Sequence, residues 1–180
     1  MHDATRTAPW SARPAGDKRT LYAELAEQLD ALLAGESSVT ANAANAAAAI
    51  FHSLPNVNWV GFYFLERDEL VLGPFQGLPA CVRIPLGKGV CGTAAAERRS
   101  VVVTDVNAFP GHIACDPASR SELVVPLLAR HRLLGVLDLD SAMVARFDDA
   151  DRQGCETLAG IVSRHIEQDR IRLTRSCSNN

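Results

Sequence analysis

The sequence predicts an α+β domain in which helices at both ends of the chain flank a central antiparallel sheet of six strands. Three observations lead to this prediction. Apolar residues recur at helical spacing near both ends, the middle consists of short β-branched and aromatic runs, and two pairs of these runs are separated by only three or four residues. At 180 residues and 47% hydrophobic content, the chain is long enough to build one sizeable core.

Helical patterns occur in four parts of the chain. The first is amphipathic and ends at a glycine, the second is rich in alanine and ends before a proline, and the last starts at an aspartate that can cap it. The predicted helices are Lys18–Ala34, Ala41–Leu54, Gly92–Arg99 and a C-terminal helix that starts at Asp148 or Asp149. We expect a flexible leader over 1–17, a single domain over 18–170 and a flexible tail over 171–180.

Six short runs between the second and the last helix have the composition of strands. They are Asn58–Leu65, Glu69–Leu72, Val82–Leu86, Val101–Val103, Glu122–Leu128 and Leu133–Asp140. A tight turn at Arg67-Asp68 joins the first two strands, and Arg130-His131-Arg132 joins the last two. Both pairs should therefore be antiparallel hairpins.

Charge and hydropathy exclude several classes of partner. The net charge is −3 and the lysines and arginines are dispersed, so the chain has no basic stripe for a nucleic acid. No apolar run approaches the roughly 18 to 20 residues that cross a bilayer, and the first 17 residues lack the apolar centre of a secretory signal. We expect a cytoplasmic protein with no membrane partner.

Three acidic residues are predicted to meet on one face of the sheet. Strand alternation places Asp138 and Asp140 on the face opposite the intervening leucines, which mark the core side. A three-residue loop at 130–132 would set Glu122 directly across from Asp140, whereas a slip of one residue would turn Glu122 to the other face. The alternative interpretation is a solvated acidic edge.

Crowded carboxylates suit a particular kind of ligand. Because their charges repel, at least one can hold its proton near neutral pH and act as an acid, while the others hold an ammonium group. A small amino acid with an oxidised side chain, such as a sulfoxide, needs both functions.

The cysteines suggest redox chemistry. The chain has five, an odd number, and no secretory signal, so any disulfide should be transient. Cys115 is the candidate nucleophile because it lies in a long connection, Thr104 to Ser121, between two predicted strands. Cys81 and Cys91 are candidate resolving thiols. The alternative for each is a small buried packing residue.

These groups together could reduce a sulfoxide. A thiolate attacks the sulfoxide sulfur and becomes a sulfenic acid, which a second thiol converts to a disulfide and water. Nearby carboxylates should raise the pKa of a thiol in such a site.

Other cofactors and binding surfaces have weaker signals. No Cys-x-x-Cys or paired histidine spacing is present, so we expect no metal site. Gly87-Lys88-Gly89 does not complete a Walker motif, and we expect no cofactor. Trp59 and Tyr63 lie on the Gly61 face of their strand, either as plain core or as an aromatic wall for a methyl thioether-like group.

Four segments carry a family resemblance when they are taken together with the three cysteines. They are Asn58-Trp59-Val60-Gly61-Phe62-Tyr63, Gly111-His112-Ile113-Ala114-Cys115-Asp116, Ser121-Glu122-Leu123-Val124-Val125-Pro126 and Gly135-Val136-Leu137-Asp138-Leu139-Asp140-Ser141. From about Lys18 to Ile166 the sequence resembles the GAF-domain free methionine-(R)-sulfoxide reductases.

The resemblance implies a cytosolic homodimer with a GAF-like fold that reduces free L-methionine-(R)-sulfoxide and is regenerated by thioredoxin. It implies that Cys115 is the catalytic cysteine and that Cys81 and Cys91 are the two other thiols. It also implies that the substrate is bound by Glu122, Asp138, Asp140, Trp59 and Tyr63.

Two other functions stay open at this point. One is a GAF module that binds a nucleotide or small metabolite without catalysis, although clustered acids disfavour an anionic ligand. The other is a general oxidant sensor that uses the same three cysteines as a switch.

Overall fold

A six-stranded antiparallel sheet forms the centre of the computed structural model, which describes residues 17–111 and 117–177. The strands are β1 Trp59–Glu66, β2 Glu69–Gln76, β3 Arg83–Pro85, β4 Val101–Val103, β5 Ser121–Ala129 and β6 Arg132–Ser141. The α-helices are α1 Lys18–Leu33, α2 Val39–Ser53, α3 Gly89–Glu97 and α4 Asp149–Cys177, and a 3-10 helix covers Val106–Ala108. The order in the sheet is β3-β2-β1-β6-β5-β4. The predicted α+β class and the six predicted strands are confirmed.

Strand β2 is longer than predicted. The prediction ended it at Leu72 because Gly73 and Pro74 follow, but the strand continues to Gln76. Its pairing with β1 shifts register between Gly61 and Tyr63, and the proline lies at that irregularity. A bulge needs no ladder hydrogen bond from the proline nitrogen, and the strand therefore continues through it.

The β5–β6 hairpin reaches the predicted register by another route. The predicted three-residue loop is wrong, because only Arg130 and His131 form the turn, both with positive φ, as in a type I′ hairpin. Leu134 is then an extra residue in β6, since Leu127 pairs with Gly135 but Leu128 pairs with Leu133. The shorter turn and the extra residue offset each other, so from the pair Leu127 and Gly135 onwards the strands have the predicted register.

The sheet is covered on both faces. One face packs against α2 and α4, on which α1 packs in turn, and this face includes the buried side chains of Phe62, Leu137 and Leu139. The opposite face carries Trp59 and Tyr63 and packs against α3. The predicted core side of β6 is confirmed, but the face that carries the acids is also largely buried.

Asp151 ties the start of α4 to the rest of the domain. Its buried carboxylate accepts hydrogen bonds from the Tyr22 hydroxyl at 3.0 Å, from Arg146 at 3.0 Å and from Lys18 at 2.6 Å. Cys155 lies one turn further along the helix, and burial raises the pKa of its thiol to about 12.

Within the part of the chain that the structure describes, none of the helices combines the length and apolar character that crossing a bilayer requires.

Candidate active site

The pairing of the central strands brings the three predicted carboxylates together. Glu122 of β5 lies directly opposite Asp140 of β6, as predicted, and Val124 lies opposite Asp138. Glu122 and Asp138 are each only 6% exposed, and Asp140 is half-buried. The interpretation of a solvated acidic edge is therefore wrong.

A thiol lies directly against these acids. Cys91 is on the first turn of α3 and is 4% exposed, and its Sγ lies 3.9 Å from Oε1 of Glu122. The helix can approach because Gly92 has no side chain, and a Cβ there would overlap the carbonyl oxygen of Pro85. One potential ligand atom from each of Cys91, Glu122 and Asp138 lies within 4.8 Å of the others.

Burial and mutual repulsion raise the pKa of two groups in this cluster, Cys91 and Asp138. Burial raises the pKa of the Cys91 thiol well above its usual value, and the charges of Asp138 and Glu122 raise it further. Burial and then the charge of Glu122 also raise the pKa of Asp138, while its hydrogen bond with Cys91 acts in the opposite direction. The cluster thus offers a neutral thiol and a carboxyl group that retains its proton to higher pH than an exposed aspartate does.

Aromatic rings form a wall beside the acids. Trp59 stacks on Tyr63 with ring centroids 6.0 Å apart and on Phe75 at 5.3 Å. The indole Nε1 donates a hydrogen bond to the carbonyl oxygen of Leu78 at 3.0 Å. Gly61 makes this packing possible, since a Cβ there would overlap the indole ring. Sequence reasoning missed Phe75 because the predicted β2 ended before it.

The second predicted resolving thiol lies at the edge of this wall. Cys81 is half-buried in the connection from β2 to β3. The Tyr63 hydroxyl donates a hydrogen bond to the Cys81 carbonyl oxygen at 3.1 Å. Tyr63 therefore serves both as part of the aromatic wall and as the anchor of a thiol-bearing segment.

Known proteins with the same fold resemble this chain over most of its length. Residues 22–166 match the GAF domain family. A protein of Escherichia coli named free methionine-R-sulfoxide reductase is 52% identical over 142 residues, which are 79% of this chain and 86% of that protein. A Saccharomyces cerevisiae protein of the same name is 39% identical and covers 82% of this chain and 87% of its own. This chain belongs to the GAF-domain free methionine-(R)-sulfoxide reductases.

A solved structure of the same family agrees in fold. It is the X-ray structure of the free methionine-R-sulfoxide reductase from Neisseria meningitidis in complex with its substrate. The two chains are 47% identical with a TM-score of 0.84, and the match covers 89% of this chain and 96% of that one. As a member of this reductase family, the protein is an oxidoreductase.

The connection that carries the predicted nucleophile returns to the sheet beside the acids. Cys115 itself lies in 112–116, outside the described residues. Where the connection is described again, Asn58 donates a hydrogen bond to the Ser119 hydroxyl at 3.1 Å, and the Arg120 amide donates to the Ser141 carbonyl oxygen at 2.7 Å. These anchors were not predicted, because isolated polar residues carry no periodic signal.

Proposed function

We propose that this reductase converts free L-methionine-(R)-sulfoxide to L-methionine. The observation that carries the proposal is the contact between a buried thiol, Cys91, and the carboxylates of Glu122 and Asp138, beside an aromatic wall. A pocket of this kind offers acids for an ammonium group and aromatic faces for a methyl-sulfur group. The names of the E. coli and S. cerevisiae relatives support the same substrate.

Each group in the pocket then has a proposed role. Glu122, Asp138 and Asp140 bind the substrate ammonium group, and a protonated carboxyl group among them gives its proton to the sulfoxide oxygen. Trp59 and Tyr63 contact the methyl-sulfur end of the side chain. The raised pKa of Asp138 supports the supply of a proton from this cluster.

The proposed reaction begins at Cys115. Its thiolate forms a bond to the substrate sulfur while a carboxyl group of the cluster protonates the sulfoxide oxygen. The hydroxyl group then moves from the substrate sulfur to the Cys115 sulfur as the bond between the two sulfurs breaks, so methionine leaves and Cys115 becomes a sulfenic acid. A second thiol, from Cys91 or Cys81, attacks this sulfenic acid and releases water as the disulfide forms. The dithiol of thioredoxin then reduces the disulfide and restores both thiols.

Cys91 and Cys81 differ in how readily they can attack the sulfenic acid on Cys115. The buried Cys91 is held neutral by its surroundings, and a neutral thiol is a poor nucleophile until the charge beside it is removed. Cys81 lies half-buried in a connection between strands, where less packing has to move.

We also propose that the protein acts as a homodimer in the cytoplasm, as the family resemblance implies.

An epimer-resolved assay tests the proposed substrate. With a thioredoxin system present, reductant should be consumed with the free R epimer, scarcely with the S epimer, and scarcely with a peptide that contains the sulfoxide. Equal rates with both epimers, or faster reduction of the peptide, would refute the substrate assignment.

Variants test the proposed nucleophile. Cys115→Ser should abolish turnover, whereas the matched control Cys155→Ser should keep it, because Cys155 lies in the core on the other side of the sheet. One equivalent of substrate should remove two titratable thiols from the parent protein. Full activity in Cys115→Ser, or no loss of thiols, would contradict the mechanism.

A further inference from the structure

Three side chains from three separate elements converge with the spacing of metal ligands. Cys91 comes from α3, Glu122 from β5 and Asp138 from β6. Their potential ligand atoms all lie within 4.8 Å of one another, and all three residues are buried. We propose that these side chains form a binding site for a soft divalent cation, zinc or cadmium, and that the bound metal inhibits the reductase.

The distance between two of these ligand atoms is close to that in a tetrahedral zinc site. With bonds of about 2.3 Å to sulfur and about 2.0 Å to oxygen, a tetrahedral ion separates the two ligand atoms by about 3.5 Å. Cys91 Sγ and Glu122 Oε1 are 3.9 Å apart. The pair therefore needs to close by only a few tenths of an ångström, which small side-chain rotations can supply.

A second observation points to a missing ligand. Asp138 is only 6% exposed and has a hydrogen bond with Cys91, but its buried Oδ1 atom has no hydrogen-bond partner among the residues that the structure describes. Buried polar atoms are nearly always satisfied, so such an atom in a native fold needs an explanation. A cation between Asp138, Glu122 and Cys91 would supply the partner that this oxygen lacks.

The scaffold holds the three groups in place. Glu122 and Asp138 are on adjacent central strands, where the pairing of Val124 with Asp138 fixes their relative position. Cys91 is on a helix whose first turn packs against the end of β3. The sequence predicted no metal site because these ligands are far apart along the chain, whereas the familiar motifs place two ligands within a few residues.

The donor set selects the metal. A thiolate with two carboxylates suits zinc or cadmium, whereas magnesium and calcium prefer sites built from oxygen alone. When the metal binds, the thiol proton and any proton held by the carboxyl groups of the cluster pass to solvent, and three protein ligands leave a fourth position for water. Inhibition rests on the proposed function, because the same carboxylates are proposed to bind the substrate ammonium group.

Cadmium titration of the reduced full-length chain tests the site directly. We expect one cadmium ion per chain and a sulfur-to-cadmium charge-transfer absorption band. Cys91→Ser should remove the band, and Asp138→Asn should weaken cadmium binding at least about tenfold, the lower end of what even an outer-shell partner contributes. The control Cys155→Ser exchanges another buried thiol and should leave both band and affinity unchanged. Circular dichroism of each variant checks that it is folded.

The outcomes separate this inference from the proposed function. A band that persists unchanged in folded Cys91→Ser overturns the site, and so does parent-like affinity in Asp138→Asn. Zinc should raise the KM for methionine sulfoxide, and a chelator should reverse the effect. Turnover without a cadmium band refutes the metal site alone, whereas a Cys91-dependent band in a protein that reduces no sulfoxide refutes the proposed function alone.

Discussion

The hydroxyl of Tyr63 should control how accessible the Cys81 thiol is. This hydroxyl donates a hydrogen bond to the Cys81 carbonyl oxygen at 3.1 Å, from a side chain that is 1% exposed. Tyr63→Phe removes that bond and keeps the aromatic ring, so the stacking on Trp59 at 6.0 Å is retained. The substitution therefore loosens the connection from β2 to β3 with little change to the aromatic wall.

The size of the effect follows from the energy of one hydrogen bond. A neutral hydrogen bond contributes a net of about 0.5–1.5 kcal/mol to stability. If the whole of that energy holds the Cys81 segment in place, its loss increases the open population of the segment about 2- to 13-fold. The rate at which the half-buried thiol reacts should increase by the same factor.

Alkylation followed by mass spectrometry measures this rate for the peptide that contains Cys81. The matched control is Tyr22→Phe, which also removes a buried tyrosine hydroxyl. That hydroxyl donates a hydrogen bond to Asp151 at 3.0 Å and lies on the other side of the sheet from Cys81. Both variants should lose stability to urea, but only Tyr63→Phe should alkylate faster at Cys81. If Cys81 reacts at the parent rate in Tyr63→Phe, or equally fast in both variants, the reasoning fails.

Two further predictions concern buried carboxylates. Because the folded state raises the pKa of Asp138 above its unfolded value of about 3.9, the parent should lose stability as pH rises from there through the folded pKa. Asp138→Asn should lack this loss, so its stability relative to the parent should increase across that pH range. Urea titrations at a series of pH values measure the free energy of unfolding of both proteins. Parallel dependence on pH in the two proteins would show that the Asp138 carboxyl is unperturbed and would contradict the prediction. Asp151→Asn should lower the free energy of unfolding by about 3–5 kcal/mol, because it leaves Arg146 buried without its partner carboxylate. Asp149→Asn, on an exposed residue of the same helical turn, should change the free energy of unfolding far less, and equal losses in the two variants would contradict the role of burial.

The register of the acids was predictable although the turn that sets it was not. The predicted three-residue loop and the observed two-residue turn with Leu134 as an extra residue both place Glu122 opposite Asp140. A slip by one residue would turn the leucines of β6 away from the core formed with the helices and turn Asp138 and Asp140 into it, so the hydrophobic pattern selects the register. The turn can therefore differ from the predicted one, provided that it leaves the two strands in this register.

Phe75 and Cys91 show where prediction from the sequence stops. Gly73 and Pro74 are ordinary strand terminators, and only the pairing with β1 reveals that a bulge carries β2 past them to Phe75. Cys91 was a candidate thiol, but nothing in its neighbours along the chain indicates that its sulfur lies 3.9 Å from Glu122. That distance depends on how α3 is placed on the sheet.

The sequence by itself determined where most of the helices and strands lie and which face of β6 carries the leucines and which the acids. These are local properties, because the repeats of 3.6 and 2 residues are written in neighbouring positions. Only the tertiary structure decided that α3 covers the acidic face, which buries Glu122 and Asp138 and raises the pKa of Asp138. Burial and repulsion depend on groups that are close in space but distant along the chain, and so no local pattern records them.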